Sequence, residues 1–303
     1  MLDLTPLFVL FATEPVYFYI SVFVFSLLIG SFLNVVIYRL PIMLKRDWTE
    51  QSLAYFAEDL PPAFIQKHRI VGRFDLIKPD STCPHCQHNI RAWQNIPVIS
   101  YVWLRGACAH CRHKISLRYP LVELATACIG VWTAVHFGVT LQTLVLLFSS
   151  YLLISMIMID FDHLLLPDDL TLGLLWLGLL AGLGNLFVTL PDAVIGAALG
   201  YTILWLIYWG FKLITGKEGM GYGDFKLLAA LGAFVGWQHL LIIILLSSVV
   251  GLILGLLIPR LQSQQPDVPQ QTIPFGPFLG IAGWLTIFYG DVIQSAYLQW
   301  ALH

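Results

Sequence analysis

Long apolar blocks separated by short polar ones constrain this chain more than any motif in it. A hydrocarbon core about 30 Å thick takes about 20 apolar residues of helix to cross. Blocks near that length occur at 16–40, 120–136, 140–159, 170–190, 193–213, 240–258 and 275–289, with a shorter one at 225–237. The composition, 58% hydrophobic and 11% charged, lies well off the soluble average. The expected fold is an all-α polytopic membrane protein with about eight transmembrane helices in the lipid bilayer. The 225–237 block is the weakest, since its thirteen residues rise only roughly 20 Å. It thins the bilayer, re-enters, or runs on through Gln238 and His239.

Charge orients these blocks. Twelve of the sixteen Lys and Arg lie between Arg39 and Arg118; the others are Lys212, Lys217, Lys226 and Arg260. The positive-inside rule places the basic segment in the cytoplasm, with Arg39 anchoring the end of the first span. Alternation then brings 160–169, 214–224 and 259–273 to the same face, where the remaining basic residues also fall. The N-terminus carries Asp3 and Glu14, no basic cluster and no small-residue cleavage site, so a removable signal peptide is not expected. Net charge is −2, and nothing points to a nucleic-acid partner.

The basic segment holds an internal repeat, CPHCQHNI at 83–90 and CAHCRHKI at 108–115. Cys83, Cys86, Cys108 and Cys111 form two C-x2-C pairs separated by 21 residues. Each short knuckle offers two sulfurs to one ion, which suits structural, tetrahedral zinc. A reducing cytoplasm disfavours the alternative of two disulfides. Four thiolates close the coordination shell and leave His85, His88, His110 and His113 as surface or supporting residues. Cys128 falls within a span and reads as a small packing residue.

Two carboxylates stand at the edges of apolar spans, where an acid is costly without a partner or a task. Asp160 ends LLISMIMI and begins the turn DFDHLLLPDD; Asp224 follows Gly219, Gly221 and Gly223 in GMGYGDFK. Peptide hydrolysis by aspartates needs one ionised and one protonated carboxyl sharing a water, and two carboxyls held close cannot both ionise cheaply. Asp162 falls on roughly the opposite helix face, while Asp168 and Asp169 read as helix caps. Ala229, Ala233, Gly232 and Gly236 make a small-residue face that would pack against the third span and bring the two acids together. Taken singly, each acid reads as a cap or interfacial charge; paired on one face beside turns, they read as a candidate catalytic dyad. Glu123, near the start of the second span, reads as an interfacial charge or a partner of Arg118, and less readily as a receptor for a cationic peptide.

These blocks, in this order, resemble the type IV prepilin peptidases of bacteria. The resemblance runs through GSFLNVVIYRLP (30–41), RDWTE, STCPHC, IPVISYVWLRGACAHC, ISLRYPLVE, MIDFDHLLLPDDLT, GMGYGDFKLLAALGAFVGW and IPFGPFLG. It implies a GxGD-type aspartyl endopeptidase cutting prepilins, or the pseudopilins of type II secretion, at the cytoplasmic face of the inner membrane. The catalytic acids it implies are the aspartate seven residues before the proline of the LPD element, Asp160, and that of GxGD, Asp224. It also implies N-methylation of the new amino terminus from S-adenosylmethionine, an activity associated with the Cys-rich domain. The corresponding division is a periplasmic N-terminus and first span over 1–40, a cytoplasmic zinc-ribbon-like insert between helices 1 and 2 over 41–118, and seven membrane helices over 119–303.

Other classes fit less of the chain. A presenilin-like or signal-peptide-peptidase-like GxGD protease would lack the early insert and the four cysteines. A proton-coupled transporter would set paired acids near the bilayer midplane. A zinc-ribbon adaptor would leave GMGYGD without a purpose.

Overall fold

In the computed structural model, residues 5–68, 72–217, 219–262 and 274–301 are described, and among them every regular element is a helix apart from two isolated bridges, Thr82 to Asn89 and Ala107 to Lys114. Two compact units divide after Val139. The first holds α1 (Thr5–Thr13), α2 (Pro15–Tyr55), α3 (Pro62–His68), α4 (Ile99–Trp103) and α5 (Arg118–Phe137). The second holds α6 (Leu141–His163), α7 (Asp168–Leu183), α8 (Leu190–Thr215), α9 (Tyr222–Val235), α10 (Leu240–Gln262) and α11 (Gly276–Ala301).

Each apolar block of the sequence lies in a helix, namely α2 and α5 through α11. Among the described residues α2, α5, α6, α8 and α11 are long and apolar enough to cross a membrane singly. The chain is therefore a membrane protein. α7 has 16 residues. The short 225–237 block resolves into α9 and a turn: Gly236, at φ +71, ends the helix, and α10 leaves at 119° to it. α9 and α10 thus form a broken or re-entrant span, raising the count from five to six. Residues 263–272 and the side chains of Arg260 and Gln262 lie outside the described residues.

In the first unit, α2 runs well past its apolar block. Its 41 residues extend roughly 60 Å, twice the hydrocarbon thickness, so 41–55 continue the helix as a polar arm. Arg39 is not a solvent-facing anchor. It is buried, and its guanidinium donates to the carbonyls of Asp75 at 2.9 Å and Pro79 at 2.6 Å. The Phe74 ring lies under both Arg39 and Arg46, at 5.7 and 4.6 Å. The same loop is tightened by the Lys78 and Ile77 N–H groups, which donate to Asp75 and, with Arg73, hold its carboxyl down to about 2. α2 and α5 pack closely at Gly30, where a Cβ would stand 2.7 Å from the Glu123 Cα. Cys128 lies on the exposed face of α5 and packs no core.

The second unit is built around α9. From Asp224 to Val235 every residue of that helix except Lys226 is buried, as expected of a helix apolar on all sides. Its small-residue face packs against α8 and α7 instead of the third span. A Cβ on Gly196 of α8 would fall 2.2 Å from the Gly232 carbonyl oxygen, and one on Gly178 of α7 would fall 2.8 Å from the Ala233 Cβ. The bilayer supplies little hydrophobic drive between helices, so such backbone approach carries much of the packing. α11 closes the bundle on α6, with Trp284 Nε1 donating to Ser150 Oγ at 3.0 Å.

Candidate active site and metal centre

Asp160 and Asp224 lie at the same end of the second unit, where Leu166 packs on both the Gly223 segment before Asp224 and the Gly276 segment beside Asp160. Both side chains are buried, each residue 6% exposed. α6 carries Asp160 in its last turn and stops at Leu164, whose left-handed φ of +52 turns its N–H back to the Asp160 carbonyl at 3.0 Å. α9 carries Asp224 in its first turn, where its carboxylate accepts the Gly221 N–H at 3.2 Å. Asp224 is thus the third residue of α9, its carboxylate reaching back to the N-cap Gly221. This hydrogen bond fixes the orientation of the Asp224 side chain.

Two further elements complete this end, and sequence reasoning missed their roles. The first is the start of α11 in the IPFGPFLG block. The Gly276 N–H donates to the Asp160 carboxylate, and a Cβ on Gly276 would fall 2.6 Å from Asp160 Oδ2. The second is Leu166, buried in the α6–α7 turn. Its side chain would stand 2.8 Å from a Cβ on Gly223 and 3.1 Å from one on Gly276. It fills the space between the start of α9, which carries Asp224, and the start of α11, which lies against Asp160. Each aspartate is therefore held by a glycine N–H, and one leucine packs on both segments.

The remaining acids of the turn play other parts. Asp168 and Asp169 lie in the first turn of α7, with Pro167 at the cap position. Asp168 takes a two-pronged ion pair from Lys226, at 2.6 and 2.7 Å, which ties the start of α9 to the start of α7. Asp162 is exposed. The contact that signals these roles is tertiary; only the short span from Asp160 to Pro167 hinted that both ends of the turn sit together.

The four cysteines converge in the first unit. Their sulfurs all lie within 4.8 Å of one another, and Cys83 Sγ is 3.8 Å from Cys111 Sγ. Tetrahedral zinc–thiolate bonds of about 2.3 Å put sulfurs roughly 3.8 Å apart, so the donor set and its spacing fit a four-thiolate ion. The repeat read in the sequence is a repeat in space. The Cys83 and Cys108 N–H groups reach the carbonyls of His88 and His113, while Gln87 and Arg112 adopt φ of +58 and +60 at matching turns. Backbone N–H groups of Cys111 and His110 lower the Cys108 thiol to about 6. The histidines pair across the repeat, His85 stacked on His113 and His88 edge-on to His110, both at 4.6 Å. They buttress the two knuckles together.

Glu123 is turned inward. It is buried, and its carboxylate accepts the Val98 N–H at 2.8 Å and a hydrogen bond from Ser31. It therefore presents no open charge to a peptide.

Comparison with known proteins agrees with this architecture. Residues 24–137 match the model described as the bacterial peptidase A24 N-terminal domain, and residues 146–256 match the type IV leader peptidase family. The two matched segments fall one in each compact unit. A prepilin leader peptidase/N-methyltransferase of Stutzerimonas stutzeri is 52% identical over 290 residues, covering 96% of this chain and 97% of that protein. One from Pseudomonas aeruginosa is 50% identical over 296 residues, covering 98% and 99%, and one from Aeromonas salmonicida is 51% identical over 285 residues, covering 94% and 95%. No solved structure matches the chain. With both domains matched in order and half the residues shared end to end, the chain belongs to the type IV leader peptidase family.

Proposed function

We propose that the protein is a bifunctional membrane enzyme: an aspartyl endopeptidase that removes the short basic leader of type IV prepilins and type II secretion pseudopilins, then N-methylates the exposed amino terminus. The observation that carries the first activity is the burial of Asp160 and Asp224 at one end of the second unit, with Leu166 packed on the segments beside both. The end-to-end likeness to proteins named for both activities supports the second. In this reading the site faces the cytoplasm across the bacterial inner membrane, with 1–40 as periplasmic N-terminus and first span, 41–118 as the cytoplasmic domain, and peptidase chemistry within 119–303. The basic residues of 39–118 and the placement of Lys212 and Lys226 near the dyad end support that orientation.

The chemistry follows from the pair. One carboxylate takes a proton from a shared water as its oxygen attacks the scissile carbonyl carbon; the other, protonated, hydrogen-bonds the carbonyl oxygen and stabilises the charge that develops there. Collapse of the tetrahedral intermediate breaks the C–N bond, and a carboxyl proton goes to the leaving amine. Gly221 and Gly276 N–H groups each hold the carboxylate they bind, and Leu166 packs between the starts of α9 and α11. The bond cut in a prepilin joins a polar leader to an apolar helix lodged in the bilayer. A dyad at the end of the spans meets that junction with little movement of the substrate helix.

Cys83, Cys86, Cys108 and Cys111 would hold zinc as a structural ion, cross-linking the knuckles and leaving no position for substrate water. The methyl donor in this reading is S-adenosylmethionine, which supplies a methyl group for the new terminal amine.

Incubating the purified full-length protein with a prepilin and a labelled methyl donor tests both activities at once. Cleavage is expected first and label only on the cleaved product. A prepilin left intact would refute the peptidase reading, and cleavage without label would refute the methyltransferase. Within the same assay Gly276→Ala is expected to lower the cleavage rate about 100-fold, because a Cβ displaces the Asp160 carboxylate and an ångström of misplacement costs about that much. Unaltered cleavage by Gly276→Ala would remove α11 from the site.

A further inference from the structure

We propose that α4, in the Cys-rich insert, lies in the plane of the membrane as an interfacial anchor whose apolar face is covered by lipid. Its residues Ile99, Val102 and Trp103 sit at i, i+3 and i+4, one face of a helix. They are 63%, 68% and 79% exposed. For large apolar side chains outside every spanning helix, that exposure is unusual and marks a surface with a partner.

The depth of α4 identifies the partner. Its N-cap, Val98, is bound through its N–H to Glu123 at 2.8 Å. Glu123 is the sixth residue of α5, which has 20 residues. At 1.5 Å per residue α5 is about as long as the hydrocarbon core is thick, and Glu123 lies roughly 8 Å in from its end. A helix whose N-cap is pinned at that level reaches the outer part of the acyl chains, the depth of about 5–10 Å at which an in-plane helix buries its apolar face. The pin is built with effort: Val98 is a β-branched residue at φ +58 and ψ −49, a conformation kept only where surroundings impose it. The buried Glu123 carboxylate is the group that accepts the Val98 N–H in this conformation.

The chemistry of the face agrees with that depth. Tryptophan is favoured at the membrane–water boundary, and an in-plane helix pairs an apolar face with flanking basic residues. Trp103 ends α4, Trp93 is exposed just before it, and exposed Arg91 and Arg105 bracket the segment. Their guanidinium groups suit the phosphates of anionic headgroups. The inference needs only that α5 crosses the membrane, so it stands or falls apart from the catalytic reading.

A photoreactive diazirine amino acid in place of Trp103, in the full-length protein in nanodiscs of phosphatidylethanolamine and phosphatidylglycerol, tests this. After irradiation, lipid adducts are read by mass spectrometry. Trp132, exposed on α5, gives the level for a lipid-facing residue, and Gln87, exposed in a knuckle turn, gives the level for water. Position 103 is expected to label lipid within about twofold of position 132 and at least tenfold above position 87. Labelling at the level of position 87 would overturn the proposal, as would adducts to this chain, to a second copy or to an added prepilin. The same label in place of Val102 must give the same result, which guards against a local disturbance by loss of the tryptophan.

Discussion

Asp160→Asn and Asp224→Asn are each expected to abolish leader removal, lowering the rate by a factor of 100 to 10,000 or more, while the protein still inserts and stays folded. The size follows from the work one carboxyl does: proton transfer by a positioned side chain contributes about that range. Asn keeps the shape and the hydrogen-bonding reach of Asp, so the Gly221 and Gly276 N–H groups retain an acceptor. What is lost is the proton that must move between the pair. The double variant is expected to be no slower than either single one, because members of one catalytic unit act together. Prepilin cleavage by purified variants, with far-ultraviolet circular dichroism as the check on folding, measures this.

The second large effect is on the cysteines. Cys83→Ser or Cys111→Ser is expected to reduce bound zinc from about one ion per chain to near none, since a structural site of four thiolates contributes about 10–16 kcal/mol that a broken set cannot recover. With no strand beyond two isolated bridges among the described residues, the knuckles have little else to hold them. The segment from Cys83 to Ile115 is therefore expected to become open to proteases when the ion is lost. Methylation is expected to fall further than cleavage. Elemental analysis of protein purified without chelator, beside limited proteolysis, tests the point. A wild-type protein carrying no metal would contradict it.

Much of this architecture is written locally. The apolar blocks gave the helices because burial in lipid demands long apolar runs, and C-x2-C pairs announce a metal knuckle because two sulfurs on a tight turn reach one ion. Asp160 and Asp224 stood out as acids at the rims of such runs. What escaped notice depends on contacts between distant segments. Nothing in IPFGPFLG indicates that Gly276 lies against Asp160, and Leu166 looks like any apolar residue before a proline until Gly223 and Gly276 are placed beside it. The small residues of α9 announced a close approach without naming α8 and α7 as the neighbours. Arg39 and Glu123 read as interfacial charges because burial is invisible in sequence; each is instead buried and hydrogen-bonded to a loop of the Cys-rich insert. Cys128 reads as a packing residue for the same reason and is exposed, since a span says nothing about which of its faces meets lipid.

The most direct test of the dyad is the binding of a peptide spanning the leader junction with a hydroxyethylene group in place of the scissile amide. Its hydroxyl takes the position of the shared water and needs both carboxyls at once. The wild-type protein is expected to bind it at least 100-fold more tightly than Asp160→Asn, Asp224→Asn or the double variant, with the three variants alike. Equal affinity for the wild type and either single variant would show that Asp160 and Asp224 do not hold one water between them.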